Sequence, residues 1–256
     1  MGTYYNGANC DIYIGKGAGK KLIDEISTAK RNVKIVSPYL SPILIKQLIN
    51  LHKKGIKIHL VTTDNIEDFY GESDKNIHQL IHQKKVINKE AEAKRSQWEN
   101  MASVLLFISI GLIAVLLLGL AVYQQLKLIL GLVPIAGLLV IRNSYQEKIR
   151  KQRIYHYKYT QLFPFKVFMS QSAQGGSRNT FIHSKIYIID DQVVYMGSLN
   201  FTASGIKDNY ETRIRTTDIQ AVQKIVEEFN ALFYHSKLPE RDIQFWGSQL
   251  YKERPN

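Results

Sequence analysis

The sequence has few cysteines and no recognisable export signal. Cys10 is its single cysteine, so no disulfide can form within one chain, which fits a reducing compartment. The stretch Met1 to Asn6 has no basic segment leading into an apolar core, so we expect no secretory signal. Hydrophobic residues make up 45% and charged residues 22%, a balance that excludes a disordered chain and a wholly membrane-embedded one.

Acidic residues are clearly fewer than basic residues. There are 34 Lys and Arg residues against 22 Asp and Glu, which gives a formal net charge of +12. Such a surplus favours anionic partners, either nucleic acid or anionic lipid headgroups. A solvated basic surface, or basic flanks that set membrane topology, would produce the same number.

Long apolar runs are present in the middle of the chain. Met101 to Tyr123 contains no charged residue, and as a helix it would be about 34 Å long, enough to cross a bilayer. Leu128 to Ile141 is shorter. Counted from Gln124 it reaches about 27 Å, with Lys127 extending to the interface and Pro134 tolerated within the span. The two runs predict a transmembrane helical hairpin.

The flanking charges predict the orientation of this hairpin. Lys and Arg residues are frequent before and after it, whereas the connection between the runs offers only Lys127. The soluble parts should therefore face the cytoplasm, in a multi-pass protein of the cell (inner or plasma) membrane. The lipid bilayer is then a partner. The predicted boundaries are 1–98 for the first soluble part, 99–142 for the hairpin and 143–256 for the second soluble part.

The first soluble part alternates strand and helix signals. Strands are predicted at 11–14, 33–37 and 56–62, and helices at 20–30 and 42–54. A β-α-β order indicates a parallel pair in an α/β sheet. Glu72 to Glu99 is polar and predicted to be helical. The segment Gly15 to Lys21 (GKGAGKK) superficially matches a nucleotide-binding loop, but the required spacing fails, so we predict an ordinary turn before a helix.

The second soluble part is richer in strands, predicted at 165–169, 184–189, 193–196 and 211–216. Asp190 and Asp191 suit a tight turn between two of them. Asp218 to Phe233 is predicted to be an amphipathic helix with Asp218 as its N-cap, and Gln171 to Thr180 a loop. Neither part holds enough elements for an independent core. The sequence therefore predicts one α/β domain interrupted by the hairpin.

The residues that carry chemistry lie between Ile182 and Glu211. They follow the spacing His-x-Lys-x4-Asp-x6-Gly-Ser-x-Asn, with a carboxylate further on. The members are His183, Lys185, Asp190, Gly197, Ser198, Asn200 and Glu211. If the first two share a strand, as predicted, both side chains project from the same face of the sheet. The remaining histidines have no such partners, and we interpret them as structural: His52, His59, His78, His82, His156 and His235.

This set suits a phosphodiester substrate. A neutral imidazole can attack phosphorus and hold the phosphoryl group covalently. Lys185, Ser198 and Asn200 can bind the non-bridging oxygens and stabilise the charge that grows on them. Glu211 can fix the tautomer of the imidazole.

The spacing resembles the HKD signature of the phospholipase D superfamily. His183, Lys185, Asp190, Gly197, Ser198 and Asn200 match it, and Glu211 matches a common position after it. The resemblance covers most of the soluble chain and leaves the hairpin outside. It implies a single phospholipase D-like domain with a mixed β-sheet flanked by helices, a two-step mechanism without metal or cofactor, and His183 as nucleophile. It also implies that Lys185 and Asn200 bind phosphate and that Asp190 is mainly structural.

The chain departs from two-copy members of the superfamily because it has one HKD motif. The resemblance then implies a homodimer with a shared active site, in which the second His183 protonates the leaving group. Three interpretations of the substrate remain open. We slightly favour a nucleic-acid endonuclease, because Asn200 to Gly205 and Asn209 to Glu211 look more like nucleases than like cardiolipin synthases. The alternatives are a phospholipase D that acts on membrane phospholipids, and a catalytically idle membrane scaffold.

Overall fold

The computed structural model describes residues 4–63, 80–169, 182–235, 237–251 and 253. These residues fall into two compact units. One unit comprises 4–63, 80–82, 159–169, 182–235 and 237–251, and the other comprises 83–158 and 253. The predicted loop at Gln171 to Thr180 and His78 lie outside the described residues.

Nine strands are present in the described residues. They are β1 (Cys10–Lys16), β2 (Asn32–Val36), β3 (Lys57–Thr63), β4 (Ile81–Ile87), β5 (Tyr155–Gln161), β6 (Phe165–Phe168), β7 (Ile186–Ile189), β8 (Val193–Gly197) and β9 (Tyr210–Thr216). Seven form a mixed sheet in the order β1-β9-β8-β7-β2-β3-β6, and β4 pairs with β5 in a separate ribbon. The mixed sheet confirms the predicted fold class.

The helices of the described residues are α1 (Lys20–Ser27), α2 (Pro42–Lys53), α3 (Lys89–Tyr123), α4 (Leu132–Lys151), α5 (Ala203–Lys207), α6 (Ile219–His235) and α7 (Ile243–Leu250). The predicted parallel pair is confirmed, because β2 and β3 run parallel on either side of the α2 crossover. The GKGAGKK segment ends β1 and turns into α1, as expected of an ordinary turn.

The Asp190-Asp191 turn is also confirmed. Both residues have positive φ, 55° and 54°, and the Gln192 N–H donates to the carbonyl of Ile189 at 3.0 Å. Aspartate tolerates this left-handed backbone better than bulkier residues, and the pair suits a tight hairpin turn. The turn joins β7 to β8, which pair in antiparallel register.

Helix α6 packs an apolar stripe onto one face of the sheet. Its N-cap is Asp218 as predicted, since the Asp218 carboxylate accepts from the Ala221 N–H at 3.0 Å. Val222, Phe229 and Phe233 are buried against Val36 and Ile188 of the central strands. This burial, of order 2 kcal/mol per large side chain, holds the strands that carry the motif.

One predicted helix is wrong at residues 81–87. Glu72 to Glu99 was expected to be helical, but residues 81–87 form β4 and the helix begins only at Lys89. The reason is a partner distant in sequence, because β5 supplies the hydrogen-bonding edge for these polar residues. Asn88 then caps α3 by accepting from the N–H groups of Glu90 and Ala91. Residues 72–79 lie outside the described part.

The two apolar runs fall in α3 and α4. Both Lys89–Tyr123 and Lys127–Lys151 are long and apolar enough to cross a membrane. The second run is not one continuous α-helix as expected. Its first residues belong to a 3-10 helix, Leu126–Gly131, and α4 begins at Leu132. Pro134 consequently lies in the first turn of α4, where its missing N–H would have no helical partner anyway.

Candidate active site

One end of the seven-stranded sheet brings together the motif residues other than Asp190. β8 ends and β9 begins at this end, and β7 begins there too, because Ile186 pairs with Met196 and Gly197 pairs with Arg213. His183 and Lys185 therefore enter just before β7, and Ser198 and Asn200 follow just after β8. Glu211 is the second residue of β9. The antiparallel order of β7, β8 and β9 thus brings residues up to 28 positions apart, from His183 to Glu211, to one end of the sheet.

His183 and Lys185 precede the strand instead of lying on it. The expected strand began at Ser184, whereas β7 begins at Ile186. Their side chains nevertheless meet. The Lys185 Nζ lies 3.1 Å from Nδ1 and 3.4 Å from Nε2 of His183, and it donates to the His183 carbonyl at 2.8 Å. The imidazole is exposed, which leaves it accessible to a substrate.

Lys185 is a buried cation, with 6% of its surface exposed. Burial lowers the pKa of its ammonium group, and the negative charge of Glu211 works against that lowering. A lysine is rarely buried without an anionic partner. The ammonium group of Lys185 is therefore suited to bind an anion that reaches His183.

Glu211 is buried and holds Ser198 in place. Its Oε2 accepts from the Ser198 hydroxyl, and its Oε1 accepts from the Asn209 side chain at 3.2 Å. The Ser198 oxygen in turn accepts from the Thr212 N–H at 3.0 Å. Both oxygens of the carboxylate thus have a partner, and the loop after β8 is tied to the start of β9.

Gly197 and Asn200 shape the loop between these strands. Gly197 has φ of 151°, and a Cβ there would collide with the Thr212 carbonyl, so the motif requires glycine at this position. Asn200 is half-buried, and its Oδ1 is buried without a hydrogen-bond partner among the described residues. The Oδ1 atom can only accept a hydrogen bond, so a phosphate oxygen could be bound only by the Nδ2 group of this side chain.

Asp190 lies at the other end of β7, away from His183. Its carboxylate accepts from the backbone N–H groups of Lys30 (2.9 Å), Arg31 (2.6 Å) and Asn32 (3.0 Å), and Arg31 also contacts its carbonyl. Burial alone would raise the pKa of the Asp190 carboxyl, but the hydrogen bonds from Lys30, Asn32 and Arg31 outweigh it and hold that pKa below its ordinary value. The geometry gives Asp190 a role in fastening the β7-β8 turn to the start of β2.

Replacing Asp190 with asparagine should therefore remove a pH-dependent part of the stability. A carboxyl whose folded pKa is depressed stabilises the fold above its unfolded pKa, about 3.9, and loses that contribution as the pH falls through the folded value. We expect Asp190→Asn to cost about 1–2 kcal/mol near neutral pH and progressively less below about pH 4. Thermal unfolding across pH measures the difference. Asp24→Asn, at an exposed carboxylate of α1, is the control, and a cost for Asp190→Asn that does not vary with pH would contradict the assignment.

Two residues that the motif does not include also position the site. The hydroxyl of Tyr187, which is fully buried, donates to the Leu199 carbonyl at 2.7 Å, and burial raises the pKa of that hydroxyl strongly. The hydroxyl of Ser37 accepts from the Phe201 N–H at 2.9 Å. Together they fix the backbone on both sides of Asn200. Sequence spacing gave no signal for either residue, because each acts through a fold contact.

The match to a family model identifies the chain. The model described as "Cardiolipin synthase, PLD-like domain" matches residues 22–108 and 113–233, which is most of the chain. The chain belongs to this family, and thereby to the phospholipase D superfamily of phosphodiesterases. The matched ranges also run through α3 and α4, which the resemblance seen in the sequence had left outside.

Several solved structures are similar at low identity. NucT from Helicobacter pylori is 14% identical, with a TM-score of 0.47, over 88% of this chain and 94% of that one. Nuc from Salmonella typhimurium, a phospholipase D family member, is 13% identical, with a TM-score of 0.43, over 91% and 98%. Phosphatidylserine synthase from Haemophilus influenzae Rd KW20 is 14% identical, with a TM-score of 0.44, over 97% and 42%. A comparison with curated proteins gives no match.

Proposed function

We propose that this protein is a membrane-anchored phosphodiesterase that cleaves nucleic acid through a phosphohistidine on His183. The observation that carries the proposal is the exposed imidazole of His183 in contact with the buried ammonium group of Lys185. A buried cation beside an accessible nucleophile is the arrangement needed to draw a phosphodiester anion onto that nucleophile.

The proposed reaction has two steps. In the first, an imidazole nitrogen of His183 forms a bond to phosphorus, and the bond from phosphorus to the leaving oxygen breaks. Lys185 and Asn200 bind the non-bridging oxygens while their charge grows. Ser198, whose one O–H donates to Glu211, holds the loop that carries Asn200. The leaving oxygen takes a proton from a second histidine. In the second step, water gives a proton to that second histidine, attacks phosphorus and breaks the bond to nitrogen, which frees His183 and restores both histidines.

The second histidine would come from another copy of the chain. A row of four apolar residues crosses the sheet next to the site, since Ile12, Ile214, Met196 and Ile186 are successive register partners on β1, β9, β8 and β7. Ile12 is 65% exposed, and the other three are half-buried. Met196 and Ile186 pack against the core beneath α6, so the Ile12 end of the row is the apolar surface that is open to a partner. A two-fold axis at the end of the sheet that carries His183 would bring the two copies of this residue together.

A shared site predicts a nonlinear result when subunits are mixed. If both His183 residues are needed, co-assembling wild type with an equal amount of His183→Ala chain should leave about one quarter of the activity, because only wild-type pairs work. Ile12→Glu should reduce dimer content and activity together, as measured by light scattering and hydrolysis. Ile43→Glu, at a similarly exposed isoleucine of α2, is the matched control. Activity in proportion to the wild-type fraction would refute the shared site.

The two apolar helices support the membrane anchor. Side chains along them are largely exposed, among them Phe107 (72%), Val122 (70%) and Val133 (68%). Helices exposing apolar residues on most sides need an apolar solvent. Ser109 is a polar residue of α3, but it is buried and its hydroxyl donates to the Leu105 carbonyl of the same helix, so it does not need water as a partner. We propose that the pair crosses the bilayer as a hairpin, with both soluble parts in the cytoplasm.

Phospholipid is the second candidate substrate. It is favoured by the name of the matching family and by the two apolar helices, which would hold an active site near a bilayer. Nucleic acid is favoured by the net charge of +12 and by exposed aromatic residues at the site end of the sheet, Tyr39 (38%) and Tyr210 (74%).

A direct comparison of substrates tests the proposal. The detergent-purified chain is offered single-stranded DNA, RNA, duplex DNA and mixed phospholipid vesicles in the presence of EDTA. We expect cleavage of nucleic acid that His183→Ala lacks. Release of phosphatidic acid by the wild type alone would replace the nuclease assignment with a phospholipase. Loss of all activity in EDTA would overturn the metal-independent mechanism.

A further inference from the structure

We infer that the turn after β1 is a second phosphate-binding surface, which holds a single strand of nucleic acid on one side of the scissile bond. This surface consists of Lys16, Lys20, Lys207 and Tyr210 and is called the lysine edge below. The inference rests on the proposed function and deepens it, because it names the substrate as a polyanion with several successive phosphates.

Backbone pairing places the lysine edge beside the active site. Gly15 pairs with Glu211 and Lys16 with Tyr210 at the end of β1 and the start of β9. The segment that looked like a nucleotide-binding loop therefore begins next to the buried carboxylate that holds Ser198. It does not cradle a nucleotide, yet it lies where a substrate chain leaving the active site would pass.

The turn is fastened rigidly to α5. The Gly19 N–H donates to the Ile206 carbonyl at 3.2 Å, and a Cβ on Gly19 would collide with Ile206, so the two segments pack backbone to backbone. The Ala18 carbonyl accepts from the Arg213 guanidinium at 2.9 Å. These contacts bring Lys207, the residue after Ile206, close to the turn that ends at Lys20. Three lysines from two segments thereby share one edge.

The charges of the lysine edge are available to a ligand. Lys16, Lys20 and Lys207 are exposed, and none of them makes an ion pair within the described ranges. Tyr210 is 74% exposed and adjoins Glu211, so its ring can stack on a base. Exposed lysines beside an exposed aromatic ring are typical of a surface that follows single-stranded nucleic acid.

The distance from the catalytic residues favours a polymer as the ligand. β1 and β7 are three strand positions apart in the sheet order, a separation of about 14 Å at the usual strand spacing. A substrate with one phosphodiester bound at Lys185 would leave the lysine edge without a ligand. A strand with successive phosphates can occupy both, and each neutralised phosphate adds affinity by releasing counterions.

Binding of a labelled single-stranded DNA oligonucleotide to the full-length His183→Ala chain tests the inference. Affinity is measured by fluorescence anisotropy across salt concentrations. We expect the triple substitution Lys16→Gln, Lys20→Gln and Lys207→Gln to weaken binding about tenfold or more and to reduce the slope of log affinity against log salt by about 2, since each phosphate contact on a single strand contributes about 0.7.

Two matched triples separate a contact from a loss of folding or of net charge. Lys53→Gln, Lys54→Gln and Lys57→Gln remove three exposed charges around the start of β3, at the end of the sheet that lies away from the active site. This triple should leave the salt slope unchanged within experimental error. Arginine at all three positions of the lysine edge should retain the slope. Equal slopes for the two glutamine triples would overturn the inference while leaving the proposed function intact. Absence of salt-dependent binding by the His183→Ala chain itself would instead overturn the nucleic-acid proposal.

Discussion

Replacing His183 with alanine is expected to lower the rate of phosphodiester hydrolysis on the order of 10⁴-fold or more, at every substrate concentration. The imidazole is exposed and is the nucleophile that we propose, and the Lys185 Nζ lies 3.1 Å from its Nδ1 atom. Without it, the chain lacks the group that we propose carries the phosphoryl group. Lys185 and Asn200 would still attract the substrate, so the loss should appear in kcat more than in KM.

His235→Ala is the matched control for this experiment. His235 is an exposed histidine at the end of α6, outside the motif, and its loss should leave the rate unchanged. A substrate labelled on the phosphoryl-bearing half provides a second measurement, because it should leave its label on the wild type after rapid alkaline quenching and not on His183→Ala. A labelled His183→Ala chain, or a variant as active as the wild type, would show that another group is the nucleophile.

Replacing Gly197 with alanine is expected to destabilise the domain by about 3 kcal/mol or more and to reduce hydrolysis as well. At φ of 151° an alanine is strained, and its Cβ would lie against the Thr212 carbonyl. To relieve the collision, β8 and β9 must separate, which weakens the 3.1 Å hydrogen bond from the Ser198 N–H to that carbonyl. Ser198 would then shift away from Glu211.

Thermal unfolding in detergent, with hydrolysis measured in parallel, tests this result. Gly137→Ala is the control, because a Cβ at that position of α4 meets nothing within 4 Å. Alanine there should be neutral or slightly stabilising, since glycine is the poorer helix former by about 1 kcal/mol. Equal unfolding temperatures for the two variants would mean that β8 and β9 can absorb a side chain at Gly197, and that the motif retains this glycine for another reason.

Local chemistry allowed much of the fold to be predicted. The β2-α2-β3 unit, the Asp190-Asp191 turn and the Asp218 cap of α6 each depend on residues within a few positions of one another. Where hydrophobic periodicity, turn residues and caps agree, the sequence itself specifies the element. The same holds for the two apolar helices, whose composition is sufficient to identify them.

Elements that depend on distant partners were missed. β4 carries Lys84 and Lys85 and looked helical, yet it pairs with β5, whose first residue is 68 positions after the end of β4. Pairing across such a separation leaves no signal in the local sequence. The strand propensity of polar residues is weak, and the pairing with β5 decides the structure. The start of β7 at Ile186 was likewise misjudged by two residues, so His183 and Lys185 lie before the strand.

The sequence by itself determined the chemistry available to this protein: one HKD motif, its spacing, and the surplus of basic residues. Only the tertiary structure decided how those residues meet. Antiparallel pairing of β7, β8 and β9 brings His183, Ser198 and Glu211 to one end of the sheet, and pairing of β1 with β9 adds Lys16 to that end. Spacing along a chain specifies residue types and local geometry, whereas proximity between strands depends on which edges bond and in which register.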